Sequence, residues 1–338
     1  MTVLVTGGAG YIGSHTVVEL LSAGTSVVVV DNLVNSSVEA VRRVGRITGA
    51  EVPFHQVDLR DRDALTEVFT AHPDVDAVIH FAGLKAVGES VADPLRYYDD
   101  NVGSSVVLGQ VMAAAGVRKL VFSSSATVYG DPGAQEFVET MPLAPVNPYG
   151  GTKAVIERVF TDLVGTGDGW RVSLLRYFNP VGAHPSGLIG EDPTGVPNNL
   201  FPFVAQVAVG RREAVVVHGD SFPTPDGTGV RDYIHVMDLA AGHVAALAHL
   251  DTPDRVDAFN LGSGHGSSVL EVIAAFERAS GRTVAHRVGP PRAGDLAAYW
   301  ADQAKAAEQL GWRTARGLDE ACADTWRWQT RNPDGYRG

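Results

Sequence analysis

The glycines between residues 7 and 13 constrain the fold of this chain more than any other sequence feature. Gly7, Gly10 and Gly13 follow an apolar run at 2–6 and precede a stretch with helical periodicity. In such a strand–turn–helix unit the first glycine permits a tight turn, the second lets the backbone approach a pyrophosphate, and the third allows close packing of the helix. A glycine-rich turn without a ligand is the alternative. The flanking strand and helix favour a dinucleotide site, with the helix N-terminus facing the phosphates.

An acidic residue stands where a dinucleotide site requires one. Asp31 ends the second apolar run, at 26–31. A carboxylate at this point accepts a hydrogen bond from a ribose 2′-hydroxyl and repels a 2′-phosphate. The position of Asp31 therefore predicts NAD, rather than NADP, as the cofactor.

Short apolar runs alternate with amphipathic stretches through the first half of the chain. Because the runs are almost continuously apolar, they suit a parallel sheet covered by helices on both faces. Repeated units of this length predict an α/β fold with a Rossmann-like, doubly wound parallel sheet. The predicted strands are 2–6, 26–31, 53–58, 77–81, 120–123 and 172–177, and the predicted helices include 14–23, 63–71, 101–115 and 153–163.

The character of the sequence changes after residue 179. Residues 180–203 are rich in Gly, Pro and Asn with little periodicity, which indicates a long functional loop. A helix at 235–250 and a strand at 258–262 are expected to return to the sheet, and the segment after 267 is expected to form a small helical lobe. We therefore predict a dinucleotide-binding domain at 1–179 with a returning segment at about 235–263, and a smaller substrate-binding lobe that takes up most of 180–338.

The composition limits the kinds of partner that the protein can bind and indicates where in the cell it is found. The 338 residues carry a formal net charge of −12, which disfavours a nucleic acid or an anionic membrane as partner. Cys322 is the only cysteine, so no intrachain disulfide can form, and the histidines lack the spacing of a metal site. The first residues show neither a basic segment nor a long apolar stretch, so a signal peptide is not expected, and no run of eighteen apolar residues occurs in the sequence. A cytoplasmic enzyme without a bound metal is the expectation.

Three residues indicate hydride chemistry at a carbon that bears a hydroxyl. Tyr149 and Lys153 are four apart, so on a helix they share one face. A phenol is a poor base at pH 7, but a neighbouring ammonium and a cationic nicotinamide ring favour the phenolate. Ser125, at the end of a serine-rich run, could hold the substrate oxygen while its proton moves. Tyr-x-x-x-Lys alone is common on ordinary helices; behind a dinucleotide turn it favours catalysis.

The residues quoted above, with further motifs, resemble the extended short-chain dehydrogenase/reductase family, in its NAD-dependent epimerase/dehydratase branch. The resemblance runs nearly end to end. Strings of this length do not arise from packing constraints alone. It is carried by residues 5–15, 31–33, 80–90, 175–185 and 229–236 and by Gly294-Asp295.

The resemblance implies that NAD stays bound and is regenerated in each turnover. Tyr149 would remove the 4-hydroxyl proton of a UDP-sugar as hydride leaves C4, with Ser125 and Lys153 as its partners. The 4-keto sugar would then turn over and take the hydride back on its opposite face, which interconverts UDP-galactose and UDP-glucose and places the chain in galactose and nucleotide-sugar metabolism.

The resemblance also implies one set of residues that bind NAD and another that bind the UDP-sugar. Lys85, Ser125 and Tyr149 belong to both sets, and Lys153 belongs to the NAD set. The remaining NAD positions are Tyr11, Ile12, Asp31, Asn32, Leu33, Val34, Asn35, Ser36, Asp58, Leu59, Phe81, Ala82, Gly83, Leu84, Asn101 and Phe178. The remaining UDP-sugar positions are Asn179, Asn199, Leu200, Arg231, Arg292, Asp295 and Tyr299.

Tyr299 matches a position at which family members differ. A bulky residue there would crowd an N-acetyl group, so the resemblance implies a preference for UDP-glucose and UDP-galactose over their N-acetylated counterparts. A homodimer, formed through a helical face of the nucleotide domain, is the family expectation.

Other functions stay open at this point. A sugar-nucleotide 4,6-dehydratase needs an extra acid and base beside the serine run, but Ala126-Thr127-Val128 offers no carboxylate. A decarboxylase or a reductase could use the same scaffold, although a reductase would release its cofactor after each turnover. A non-enzymatic NAD-sensing module could keep the glycine turn but would have no reason to retain Ser125, Tyr149 and Lys153 together.

Overall fold

The structure, a computed structural model, describes residues 1–133, 135–292 and 295–337. Its strands fall into one large sheet and two smaller ones. In chain order they are β1 (Thr2–Thr6), β2 (Ser26–Asp31), β3 (Phe54–Gln56), β4 (Val75–His80), β5 (Lys119–Ser125), β6 (Gln135–Phe137), β7 (Arg171–Tyr177), β8 (Asn179–Val181), β9 (Val215–His218), β10 (Val230–His235), β11 (Arg255–Leu261), β12 (Gly266–Ser268), β13 (His286–Gly289) and β14 (Ala298–Ala301).

Several helices begin at a side chain that accepts a hydrogen bond from the first turn, as at Ser37, Asp61, Asn147 and Ser268. A π-helical turn at Tyr98–Gly103 leads directly into the helix that begins at Ser104. The helices are α1 (Tyr11–Ser22), α2 (Val38–Thr48), α3 (Arg62–Ala71), α4 (Val87–Ala92), α5 (Pro94–Tyr97), α6 (Ser104–Ala115), α7 (Pro148–Val164), α8 (Leu200–Ala208), α9 (Val236–Ala248), α10 (Val269–Ser280), α11 (Ala304–Gln309) and α12 (Leu318–Arg331).

The large sheet confirms the predicted fold class. Its seven strands are all parallel and lie in the order β11-β7-β5-β4-β1-β2-β3. The chain runs outward from β1 through β2 to β3 and then returns to β4, on the other side of β1. The strand order therefore reverses between β1 and β4, and ligands of open α/β sheets bind at the carboxyl ends of the strands at such a point.

Burial on both faces explains why the strands read as continuous apolar runs. Val3 and Val5 of β1 belong to the core on one face, whereas Leu4 belongs to the core on the other, and all three are fully buried. Helices α1, α2 and α9 pack together, as do α3, α6 and α7. Fully burying a side chain of this size contributes about 1.5–3 kcal/mol, so the covered sheet is a rigid base for the strand ends.

The second lobe contains short strands that the sequence did not predict. A mixed sheet runs β12-β10-β14-β6, β8 pairs with β10, and β9 pairs with β13. The expectation of a small helical lobe after 267 was thus incomplete, because β12 spans its start and β13 and β14 lie within it. Strand β6 comes from within the first 179 residues but joins this second sheet. Helices α8, α10 and α12 share one apolar core.

Most predicted elements of the first half agree with the structure to within a few residues at their ends. Two boundaries differ in a way that bears on function. Helix α7 begins at Pro148 rather than 153, so it includes Tyr149 as well as Lys153. The predicted helix 101–115 is an α-helix only from Ser104 onward.

Within the described ranges, no helix combines the length and the apolar character needed to cross a membrane.

Candidate active site

A cleft of about 1590 Å³ opens at the carboxyl ends of the main-sheet strands and extends to the second lobe. Most of the predicted site residues line it. Those on the nucleotide side are Gly7, Gly10, Tyr11, Ile12, Gly13, Asp31, Asn32, Val34, Asn35, Ser36, Asp58, Leu59, Phe81, Ala82, Gly83, Leu84 and Lys85, and those further along are Ser125, Tyr149, Lys153, Phe178, Asn179, Asn199 and Tyr299.

The glycine turn leaves no room for side chains at two of its positions. Gly7 has φ +69°, and a Cβ atom there would lie 2.7 Å from the backbone nitrogen of Ala82. A Cβ atom on Gly13 would lie 2.3 Å from the carbonyl oxygen of Gly7, so this glycine lets α1 pack against the turn. Among the described residues, the atom nearest to a Cβ on Gly10 is that same carbonyl oxygen, at 3.2 Å. The helix N-terminus therefore faces the cleft with bare backbone, as a pyrophosphate requires.

Asp31 organises the loop that follows β2. Its Oδ1 accepts hydrogen bonds from the Leu33 backbone N–H at 2.9 Å and from the Ser36 hydroxyl at 2.7 Å. Its Oδ2 accepts from the Ala9 backbone N–H at 3.1 Å. A carboxylate offers about four acceptor positions, so one remains for a ribose hydroxyl. Leu33 itself packs against the core rather than lining the cleft, with φ +61°.

Asn101 is buried next to the cleft and does not line it. It is 1% exposed, and its side chain accepts from the Leu84 backbone N–H at 2.7 Å and donates to the Leu84 carbonyl at 3.1 Å. It also donates to the Thr152 hydroxyl at 3.1 Å. The structure therefore places Asn101 as a support that joins the loop after β4 to helix α7.

Asp58 carries a stabilised negative charge at the edge of the nucleotide side. Hydrogen bonds from Arg60 lower the pKa of Asp58 to about 2. The Asn32 amide also donates to this carboxylate, at 3.3 Å. Asp58 is thus ionised at every pH at which the protein would work and can accept hydrogen bonds from a ligand.

Tyr149, Lys153 and Ser125 meet at the middle of the cleft. Asn147 caps α7, so Tyr149 lies in its first turn. The Lys153 ammonium donates to the Ser123 carbonyl at 2.6 Å and lies 6.0 Å from the centre of the Tyr149 ring. Burial lowers the pKa of Lys153 to about 8. Burial raises the pKa of the Tyr149 phenol, and the neighbouring Ser125 hydroxyl opposes this rise.

Two predicted UDP-sugar residues, Arg231 and Arg292, meet at a third, Asp295. Asp295 is 3.5 Å from Arg231 and 2.9 Å from Arg292. The Arg231 guanidinium lies 4.9 Å from the centre of the Tyr299 ring, which stacks on Phe137 at 5.3 Å. Tyr299 lines the cleft, whereas Arg231, Arg292 and Asp295 are not among its lining residues. Gly294, the other half of the Gly-Asp motif, lies outside the described residues.

Lys85 and Asn199 come together through a residue that the sequence did not single out. Glu191 accepts hydrogen bonds from the Lys85 ammonium at 3.0 Å and from the Asn199 amide at 2.7 Å. Asn199 precedes Leu200, which begins α8 and packs against the core of the second lobe. The loop at 180–203 has no periodicity, so only the tertiary structure brings Glu191 to the cleft.

Thr127 is a second residue that sequence reasoning did not assign. Its hydroxyl donates to the Ser125 hydroxyl oxygen at 2.9 Å, and its backbone N–H donates to the same atom at 3.2 Å. Ser125 therefore has both contacts on its oxygen and keeps its own proton available to a substrate oxygen. The nearness of Thr127 to Ser125 in the sequence was the only signal.

The sheet, the glycine turn and the Ser125–Tyr149–Lys153 group define an enzyme that binds a dinucleotide and moves hydride and a proton at a hydroxyl-bearing carbon. Residues 3–262 match the model of the NAD dependent epimerase/dehydratase family, and the chain belongs to this family. The family match confirms the resemblance found in the sequence, and the family description agrees with NAD as the predicted cofactor.

Two relatives and one solved structure that match nearly the whole of this chain are UDP-glucose 4-epimerases. The UDP-glucose 4-epimerase of Yersinia pestis is 57% identical over 337 residues, which are 99% of both chains. That of Bacillus subtilis is also 57% identical, over 100% of this chain and 99% of the relative. The crystal structure of UDP-glucose 4-epimerase from Bifidobacterium longum in complex with NAD+ and UDP has a TM-score of 0.95 at 53% identity, and the match covers 99% of this chain and all of that one.

Proposed function

We propose that this chain interconverts UDP-galactose and UDP-glucose, with NAD held through each catalytic cycle. The observation that carries the proposal is the meeting of Ser125, Tyr149 and Lys153 in the same cleft as the glycine turn. The full-length similarity to UDP-glucose 4-epimerases supports the same activity.

The residues at the nucleotide end fit NAD. The turn at Gly7, Gly10 and Gly13 offers bare backbone to a pyrophosphate, and Asp31 keeps an acceptor position for a ribose hydroxyl. When bound, NAD would supply a reversible hydride acceptor for C4 of the sugar. The lobe built on the main sheet would hold this cofactor, and the second lobe would hold the UDP-sugar.

Tyr149 is the proposed base for the 4-hydroxyl proton. The cationic Lys153 favours the phenolate, whereas burial raises the pKa of Tyr149. The positive ring of a bound NAD would act in the same direction as Lys153. Ser125 donates to the 4-oxygen and keeps it beside Tyr149. On return of the hydride, Tyr149 gives the proton back.

The UDP-sugar needs an anchor that stays fixed while the 4-keto sugar turns over. Arg231 and Arg292 carry planar guanidinium groups, which suit the oxygens of a diphosphate. Asp295 lies between them and restrains both side chains. Asn179 and Asn199, the other polar residues proposed to hold the UDP-sugar, line the cleft.

The test is to incubate the purified protein with UDP-galactose, with no NAD added, and to assay UDP-glucose. We expect conversion by the unaltered protein and at least a hundredfold loss in Tyr149→Phe, because the proton acceptor is gone. No conversion, even with NAD supplied, would overturn the proposal. A 4-keto-6-deoxy product would instead indicate a dehydratase.

We further propose that Tyr299 disfavours N-acetylated substrates. Its ring lines the cleft and is held by Phe137 on one side and Arg231 on another. We expect the unaltered protein to turn over UDP-N-acetylglucosamine far more slowly than UDP-glucose, and Tyr299→Ala to narrow this difference. Equal rates on both substrates in the unaltered protein would contradict the proposal.

The homodimer stays a proposal, and an exposed apolar patch supports it. The patch consists of Val87 and Val91 of α4, Leu95 of α5, Tyr98 of the π-helical turn and Val155 of α7, and these elements pack against one another. Leu95 is 80% exposed and Val91 is 64% exposed, which is costly on a free surface.

Sedimentation measurements would test the dimer. We expect Leu95→Glu to yield a monomer, and Val288→Glu, an exposed position on β13 away from the patch, to leave the dimer intact. A monomeric unaltered protein would refute the proposal. The cytoplasmic location stays a prediction from the sequence, which cell fractionation would check.

A further inference from the structure

A buried ion pair lies directly behind the proposed catalytic residues. Arg176 of β7 donates from Nε and Nη2 to the two carboxylate oxygens of Glu157 on α7, at 3.0 and 2.7 Å. The side chains are 7% and 4% exposed. Such pairs rarely add stability over an apolar pair of similar size, so stability alone does not explain why charges occupy this position.

The pair is connected to the end of β5, which carries Ser125. The Ser124 hydroxyl donates to Oε1 of Glu157 at 2.5 Å, and the Lys153 ammonium donates to the Ser123 carbonyl at 2.6 Å. Lys153 and Glu157 are one turn apart on α7. Two successive turns of this helix thus hold two successive residues of the strand, directly before Ser125.

Arg176 extends the connection to the other side of Ser125. Its Nη1 donates to the Tyr129 hydroxyl at 3.0 Å and to the Glu139 carbonyl at 3.2 Å. Tyr129 closes the short 3-10 turn that follows Ser125, and its hydroxyl donates to Asn260 of β11 at 2.7 Å. The backbone on both sides of Ser125 is therefore tied to one buried network.

We propose that the Glu157–Arg176 pair is a positioning element of the active site, which holds Ser125 and Lys153 in register with Tyr149 and keeps the charge beside Lys153 balanced. This inference rests on the proposed function, because it assigns the pair a part in the same proton transfer. Neither residue reaches the cleft, so neither is a catalytic residue.

The charge balance follows from the groups that face Lys153. Tyr149 and Glu157 on its own helix and His80 on β4 interact with Lys153, and Arg176 on β7 pairs with Glu157. Burial lowers the pKa of His80 to about 3, so it is neutral at working pH. Glu157 raises the pKa of Lys153 against the effect of burial, and Arg176 neutralises the remaining field of Glu157.

The first test is Glu157→Gln, which keeps the shape and removes the charge. The carboxylate that raises the pKa of Lys153 is then absent, and Arg176 keeps a positive charge that Glu157 no longer balances. Both changes disfavour the Lys153 ammonium, and the unbalanced charge favours the phenolate of Tyr149. We expect the whole pH profile of kcat to move toward lower pH by on the order of one unit. The KM for UDP-galactose should change little, because the arginines that would hold the diphosphate lie elsewhere.

The double variant Glu157→Gln/Arg176→Gln removes the unpaired charge and should return the pH profile close to its original position, while kcat stays reduced. If the pair had only a packing role, the pH profile of kcat would not shift in Glu157→Gln and would have no shift to recover in the double variant. If Glu157→Gln does not fold, Ser124→Ala cuts only the link between the pair and β5. It should lower kcat several-fold at unchanged KM. The matched control is Arg158→Gln, an exposed position on the same helix.

Two outcomes separate this inference from the proposed function. The ionisation of Tyr149 can be followed by phenolate absorbance, with Tyr149→Phe subtracted, and this needs no substrate. If the unaltered protein does not convert UDP-galactose but Glu157→Gln shifts this titration, the proposed function fails and the charge-balance part of the inference stands. If the titration, the pH profile and kcat of Glu157→Gln all match those of Arg158→Gln, the inference is overturned.

Discussion

Replacing Lys153 by Met isolates the electrostatic part of the proposed mechanism. The side chain keeps much of its length but loses its charge, which lies 6.0 Å from the centre of the Tyr149 ring. At an effective dielectric constant of about 20, two unit charges roughly 6 Å apart interact by about 3 kcal/mol. This corresponds to roughly two units in the pKa of Tyr149. We therefore expect kcat at pH 7 to fall about a hundredfold.

The pH dependence has a definite sign. Burial lowers the pKa of Lys153 to about 8, so the ammonium is present below that pH and is lost above it. In the unaltered protein kcat should rise as Tyr149 ionises and fall as Lys153 loses its proton. Lys153→Met has no proton to lose at this position, so its kcat should keep rising with pH and approach that of the unaltered protein in alkaline solution.

The assay is kcat for UDP-galactose across the pH range, with Arg158→Met as the matched control on the exposed face of α7. Thermal unfolding of Lys153→Met should show no loss of stability, because keeping a buried charge is itself costly. A loss of kcat that is equal at every pH would refute the electrostatic argument and leave only a packing role for Lys153.

Two predictions concern the nucleotide end of the cleft. Gly13→Ala places a Cβ atom 2.3 Å from the Gly7 carbonyl oxygen, so the variant should copurify with at least about tenfold less NAD than the unaltered protein. The bound NAD is released by denaturing the purified protein and is measured by its absorbance. The control is Gly317→Ala, whose new Cβ atom meets no atom of the described residues within 4 Å. Full retention of NAD by Gly13→Ala would contradict the geometry. Asp31→Ser removes the carboxylate that repels a 2′-phosphate, so the ratio of the Kd for NADP to that for NAD should fall at least about tenfold by calorimetry. An unchanged ratio would show that Asp31 does not select the cofactor.

The sequence alone predicted the main sheet and the centre of the site. Strands buried on both faces are continuous apolar runs, and this local pattern does not depend on knowing their neighbours. Gly7 and Gly13 signal their own geometry, since backbone approaches at these positions exclude a Cβ atom. Tyr149 and Lys153 share a helix face because α7 begins at Pro148, after the cap at Asn147. Residues four apart on a helix are neighbours on one face, so the spacing alone was enough to predict that the two side chains lie close together.

Only the tertiary structure decided the surroundings of that centre. The strands of the second lobe are three to six residues long and form through pairing between distant segments, so they leave little local periodicity. Glu191 reaches Lys85 and Asn199 from a loop without a pattern. Glu157, four residues after Lys153, would read as a solvated charge. It is buried because Arg176 arrives from β7, nineteen residues later, and a charge can be buried only where the fold brings it such a partner.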